Sequence, residues 1–282
     1  MRGSAKRPVL TRMVRRTATY VLLCAVAVIF VLPFIELLSS ALKPSTQDIF
    51  SFPPDFIPRP PVFKWFAEAW HTIPFPRYLA NSVLYEVCIV PVYLMVSALT
   101  AYPLARMQFR GRMVLFYMFL ATMFMPSEVL LIPRFMVVSQ LGLNNTYLGV
   151  ILPAILSALG IFLLRQTFAA VPQDLIDASG MDGCGHLRIF WHVMLPVARP
   201  TLAVLSILGS ISVWNSFVWP LVVLNDMSKY PVVLGLAFLT GIDGSDVRAL
   251  AAGTVISMIP VVVFFMLLQR HILDGLSGSV KG

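Results

Sequence analysis

The chain has 282 residues, of which 58% are hydrophobic and only 12% charged, with a formal net charge of +8. A soluble domain of this length would carry about twice that charged fraction, so the composition argues against a soluble globular protein. The positive charge gathers at the ends of long apolar runs, which excludes nucleic acid as its reason.

Residues 1–16 form a basic arm carrying Arg2, Lys6, Arg7, Arg12, Arg15 and Arg16. The apolar run 17–35 follows. A basic start fits a secretory signal, but the run exceeds a signal's core of roughly 7–15 residues and lacks a small-x-small cleavage site. It reads as an uncleaved anchor reaching about residue 42. The outer segment 43–77 contains Pro44, Pro53, Pro54, Pro58, Pro60, Pro61, Pro74 and Pro76, too many for a long helix. Within it only 63–71 suits a short helical turn, with Phe66 and Trp70 on one face. Its aromatic residues suit a membrane interface or a protein contact.

Further uncharged runs cover 87–105, 113–127 (continued by 129–133 after Glu128), 135–164, 200–225 and 249–269. A hydrocarbon core needs about 20 residues of helix. The run from Phe135 must bend at the polar stretch 142–146, so six spans are expected: about 17–42, 78–104, 112–138, one ending near 168, 200–224 and one ending near 271. Most of the 21 basic residues lie before span one, between spans two and three, between four and five, and after six. The positive-inside rule makes that side cytoplasmic, with both termini inside. The three cysteines imply no disulfide framework, since Cys24 and Cys88 sit in apolar runs.

Between spans four and five, residues 170–199 form a polar, glycine-punctuated island that must lie in water or against another protein. Pro172, Asp174 and Asp177 suit the first turns of a helix. Gly180 and Gly183 are expected to interrupt it and Gly185 to complete a turn. A second short helix should start near His186 and end at Pro196, with Leu187, Phe190, Trp191 and Met194 forming one apolar stripe. Helices this short persist only when docked. An amphipathic hairpin on the inner leaflet is one reading; a partner's docking site is the other. From residue 274 the chain is small and glycine-rich, which reads as a flexible end.

Glu36, Glu86 and Glu128 fall within or near spans, where charge is expensive. For Glu36 and Glu86 the favoured reading is an outer-interface position or a structural pair. For Glu128, beside Pro126 and Ser127, a translocation-path role and a structural role stand level. Asn215 suits a sugar hydroxyl, with Trp214 or Trp219 stacking on a sugar face, or else a hydrogen bond between helices. No metal-ligating cluster, acid pair or nucleophile–base pair is visible, which argues against a membrane enzyme. No phosphate-binding G-x-x-x-x-G-K-[ST] motif is present, so the chain does not bind ATP in that manner.

The island resembles the cytoplasmic "EAA" loop of permease subunits in ATP-binding-cassette importers, which reads Glu-Ala-Ala, three residues, Gly, nine residues, Ile-x-Leu-Pro. Here Asp177-Ala178-Ser179, Gly183 and Val193-Met194-Leu195-Pro196 stand at those spacings, with Asp for Glu, Ser for Ala and Val for Ile. Several further features are similar to the carbohydrate-uptake branch and its maltose-type second permease subunit. They are Asn81-Ser82, Pro133, Asn144-Asn145-Thr146-Tyr147 before Leu152-Pro153, Trp214-Asn215, Trp219-Pro220 and the ending from Gln269-Arg270.

The resemblance implies an all-α, six-span integral membrane protein with the type I importer permease fold, its domain at 17–271, a tail at 272–282 and a short coupling helix. Asp177, Ala178, Ser179, Gly183, Leu195 and Pro196 would grip a cytosolic ATPase. Implied partners are a homologous but non-identical permease, two ATPase subunits holding ATP and Mg, and an extracytoplasmic solute-binding protein. The implied solute is a sugar, with a glycerol-phosphate diester or polyol as the alternative. The tail would be a flexible end or reach between the ATPase subunits. An ion-coupled secondary transporter is the rival of a different class, kept open by the three glutamates.

Overall fold

The computed structural model describes residues 7–181, 183–239 and 247–278, with side chains between residues 15 and 267. Helix α1 (Arg7–Leu42) leads through an irregular segment to α2 (Lys64–Thr72) and α3 (Phe75–Arg106). Then come α4 (Arg112–Met123), α5 (Leu131–Gln140), α6 (Tyr147–Ile151) and α7 (Ala158–Ala170). The next loop holds α8 (Gln173–Met181), α9 (His186–Ile189), a π turn (Phe190–Met194) and α10 (Leu195–Val197). Helices α11 (Arg199–Trp214), α12 (Val218–Val223), α13 (Val232–Leu239) and α14 (Val247–Gly278) follow.

Among the described residues, four helical stretches are long and apolar enough to cross a bilayer: Arg15–Leu42, Phe75–Arg106, Tyr147–Ala170 and Val247–Leu267. A fifth results if His186–Val197 and Arg199–Trp214, bent by 74° to each other, are taken as one. The expected third span differs most: it divides into α4 and α5, of 12 and 10 residues. Each is short of the roughly 20 residues that crossing requires. Pro126 accounts for the break, because it has no amide hydrogen and disfavours helical backbone at Met125. Serine 127 and Glu128 fill the turn, with Ser127 Oγ donating to Glu128 Oε1 at 3.1 Å. The expected fifth span is interrupted as well: α11 stops at Trp214, and Pro220 in α12 cannot bond back to the Ser216 carbonyl. At the C-terminal end, α14 continues to Gly278, so the stretch that composition reads as flexible begins as helix. Residues 279–282, like 1–6 of the basic arm, lie outside the described residues.

The described residues form two compact units, 7–70 with 247–256 and 71–239 with 257–278. In the first, Lys43 is fully buried and ion-paired to Glu36 at 3.2 Å, so Glu36 has a structural partner. The indole of Trp65 donates to the Lys43 carbonyl at 2.8 Å. That bond turns Trp65 and Ala69 inward on α2, whereas sequence spacing favoured the Phe66–Trp70 face. The Arg248 guanidinium donates to the Gln47 carbonyl and lies 5.7 Å from the Trp65 ring.

In the second unit, α3 packs against α7 and α11 through small residues. A Cβ on Gly160 would lie 2.6 Å from Ser97 Oγ, and one on Gly209 would lie 2.9 Å from Tyr93 Cε1. Close backbone approach therefore grips the Tyr93 ring between α7 and α11, the small-residue packing that membrane helices favour where no hydrophobic drive exists.

Candidate functional site

The loop from α8 to α10 is a docked hairpin. Helix α8 buries none of its residues, and it runs through Gly180 instead of breaking there. It ends in a Schellman cap: the Cys184 amide donates to the Ser179 carbonyl at 3.1 Å and the Gly183 amide to the Gly180 carbonyl at 3.0 Å. Gly183 takes a φ of +75°, a left-handed conformation that a Cβ makes unfavourable. Asp177 is exposed, and its Oδ1 accepts from Gln173 Nε2 at 2.9 Å. Ala178 is exposed, and Ser179 donates to the Leu175 carbonyl at 2.8 Å.

Two side chains of α3 hold this hairpin. Arg106 Nε donates to the Phe168 carbonyl at 2.8 Å, Nη2 donates to the Val171 carbonyl, and Nη1 donates to Gln173 Oε1 at 3.0 Å. One guanidinium thus caps the carboxyl end of α7 and reaches the residue that binds Asp177. On the α9 side, Tyr102 Oη lies 3.3 Å from His186 Nδ1 and its ring 5.5 Å from that of Phe190. The expected apolar stripe divides: Phe190 and Met194 are buried with Ile189, while Leu187 and Trp191 stay exposed. The π turn at 190–194 shifts the register that the stripe assumed. Pro196 does not end the helix either. It lies inside α10, and Leu195 and Pro196 border an apolar groove with Pro91 and Trp191.

A separate cavity of about 350 Å³ lies among α3, α5, α6, α7, α11 and α12. Aromatic rings and hydroxyls line it, including Tyr85, Tyr93, Ser157, Ser212 and Ser216, together with Arg134 and Trp219. The Trp219 indole donates to the Gly149 carbonyl at 3.2 Å, which fixes the ring. The Arg134 guanidinium lies over that ring at 4.2 Å, a cation–π contact of about 0.5–2 kcal/mol. Of the other path residues expected from sequence, Trp214 is buried but does not line the cavity, and Asn215 is exposed and donates to the Ile211 carbonyl at 2.9 Å. Glu128 is exposed in its turn. Arg134 escaped the sequence reading, although a signal existed: it is the lone charge separating the apolar runs 129–133 and 135–164.

The polar residues singled out at 81–82 and 144–147 clamp the walls of this cavity. Asn81 Nδ2 donates to the carbonyls of Ser228 and Tyr230, at 2.9 and 3.0 Å, and Asn81 Oδ1 accepts from Tyr147 Oη at 3.1 Å. Asn145, at φ +57°, accepts from the amides of Asn225 and Asp226 at 3.1 and 2.9 Å. In the same turn, a hydrogen bond from Lys229, joined by those from Ser228, holds the Asp226 carboxyl far below the usual carboxylate range.

Interrupted apolar helices around a polar-edged cavity, with a docked hairpin at one end, define a membrane transport subunit. The family described as binding-protein-dependent transport system inner membrane component matches residues 94–277. The arabinooligosaccharides transport system permease protein AraQ of Halalkalibacterium halodurans is 35% identical over 91% of this chain and 93% of its own length. The sn-glycerol-3-phosphate transport system permease protein UgpE of Yersinia pestis is 31% identical over 83% of this chain and 86% of its own. A bacterial ABC transporter involved in the import of the acidic polysaccharide alginate superposes with a TM-score of 0.79 at 25% identity, over 96% of this chain and 99% of that one. The chain belongs to the binding-protein-dependent transport family: it is a multi-pass, non-catalytic inner-membrane permease subunit of an ABC importer.

Proposed function

We propose that this chain forms half of the translocation path of an importer for a sugar or sugar-like solute. A homologous, non-identical permease forms the other half, and an extracytoplasmic binding protein delivers the solute against the segment 43–77. Two cytosolic ATPase subunits, which hold ATP and Mg, dock on the loop 170–199 through Asp177, Ala178, Ser179, Gly183, Leu195 and Pro196. In this reading the chain crosses the membrane six times, with α4–α5 and α11–α12 as broken spans and both termini inside.

The observation that carries the proposal is the hairpin itself. Its first helix buries nothing, yet its ends are capped and tied by Arg106 and Tyr102 to α3. A surface helix held rigidly and left uncovered is suited to receive a partner and to pass its displacement to the helices around the cavity. ATP binding closes the ATPase pair, the hairpin moves with it, and the bundle changes from inward-facing to outward-facing; hydrolysis resets it.

Supporting a sugar-like solute are the hydroxyl and aromatic lining of the cavity and the relatives named for arabinooligosaccharides, sn-glycerol-3-phosphate and alginate. Trp219 is the expected path residue that borders the cavity; Trp214, Asn215 and Glu128 would act in other states or structurally. Uptake into proteoliposomes holding the complete complex tests the proposal. Uptake should require ATP and persist with an uncoupler present. Collapse under the uncoupler with ATP held constant would favour an ion-coupled transporter.

A further inference from the structure

Glu86 and Arg134 are both charged residues of the second unit with a buried atom that lacks a hydrogen-bond partner, and of the two it is Arg134 that borders the cavity. It sits in α5, near the outer end of the expected third span, and borders the cavity as the one charged residue among its described lining. Its Nε is buried and has no hydrogen-bond partner, and the guanidinium makes no ion pair among the described residues. A guanidinium stays protonated at any physiological pH, and an intramembrane charge without a partner is costly. The Trp219 ring covers one of its faces at 4.2 Å. A ring face satisfies positive charge but accepts no N–H in the guanidinium plane; Nε is enclosed, and the Nη donors have no acceptor among the described residues. The ring is itself fixed by its bond to Gly149, which gives the guanidinium a rigid platform. A planar donor fork held in this way fits two oxygens of one oxyanion.

We infer that Arg134 is an oxyanion subsite of the translocation path, and that the solute is an acidic sugar or sugar-like molecule bearing a carboxylate or phosphate. This rests on the permease reading above and narrows its substrate class. The anionic group takes the Nη donors of Arg134, while Ser157, Ser212 and Tyr93, which line the same cavity, suit the solute's hydroxyls. Trp219 acts as a positioning residue: it holds the guanidinium and needs no contact with solute.

The test uses the complete complex with its binding protein in proteoliposomes and three labelled probes: digalacturonate, sn-glycerol 3-phosphate and neutral arabinobiose. At least one anionic probe should be imported with ATP, the first pointing to a carboxylate and the second to a phosphate. Arg134→Gln should lower that uptake by about ten- to a hundredfold, and Arg134→Lys, which keeps charge without the fork, should lower it less. Recovery of assembled complex by size exclusion should match wild type for both variants. ATP-dependent uptake of arabinobiose alone would overturn the inference and leave the permease reading intact. So would anionic uptake indifferent to Arg134→Gln, absence of uptake of both anionic probes, or loss of assembled complex in both variants, which would assign Arg134 to an ion pair with the partner permease. Failure of all ATP-dependent uptake would sink the permease reading as well.

Discussion

The hairpin at 173–197 and the cavity around Arg134 are built by opposite means. The hairpin leaves its first helix uncovered and depends on a few polar bonds from Arg106 and Tyr102. The cavity is walled by close-packed helices, where Gly160 and Gly209 admit the Tyr93 ring and Asn81 and Asn145 lock the connecting turns. The contrast teaches where each can fail. Breaking the hairpin's ties should uncouple the machine with modest loss of stability, while altering the cavity's walls should destabilise the subunit first.

The largest effect is expected from Arg106→Ala. It removes the bonds to the carbonyls of Phe168, Ala169 and Val171 and to Gln173, two of them exposed, at a stability cost of about 1 kcal/mol. Solute-stimulated ATP hydrolysis in the assembled complex should be largely lost, while the melting temperature measured by calorimetry falls by only a few degrees. Equal loss of both would erase the distinction between the two regions. Next, Gly235→Ala drives a Cβ into the fully buried Tyr78 ring and should cost about 1–3 kcal/mol of thermal stability. Its ATPase stimulation should be normal at temperatures where the complex is intact.

Smaller still is the effect of the hairpin's left-handed residue. Space around Gly183 is open to a Cβ, so Gly183→Ala meets only backbone strain of about 1 kcal/mol. Asparagine tolerates that conformation better than alanine, and Gly183→Asn should stay nearer to wild type in melting temperature. The smallest effect is pH-dependent. Asp226 has a lowered folded-state pKa, so its contribution is complete above the ordinary carboxylate value and is lost as pH falls through the folded one. The difference in melting temperature between wild type and Asp226→Asn should therefore be constant from about pH 8 to 5 and close only in stronger acid.

The same contrast explains what the sequence could tell. The hairpin is local: one continuous stretch carries Asp177, Gly183 and Leu195-Pro196 at fixed spacing, because a partner reads them as one surface. Its docking was less legible, since Arg106 and Tyr102 come from a helix some 70 residues earlier and a π turn shifts the apolar register. The cavity draws on six helices spread along the sequence, so spacing could not assemble it. Trp219 was legible as an aromatic residue in a span, but Arg134 was missed because a charge at the edge of two apolar runs reads as an interface residue. The breaks in spans three and five were written in Pro126 and Pro220, yet membrane helices often absorb proline without breaking.

The central claim is that force enters this subunit through the hairpin. Gly183→Trp tests it most directly, because bulk at the cap blocks a partner's approach while the space beside it in this chain is open. Hydrolysis of ATP stimulated by loaded binding protein should be abolished in a complex whose subunits still insert into the membrane. Normal stimulation with Trp at position 183 would contradict the claim.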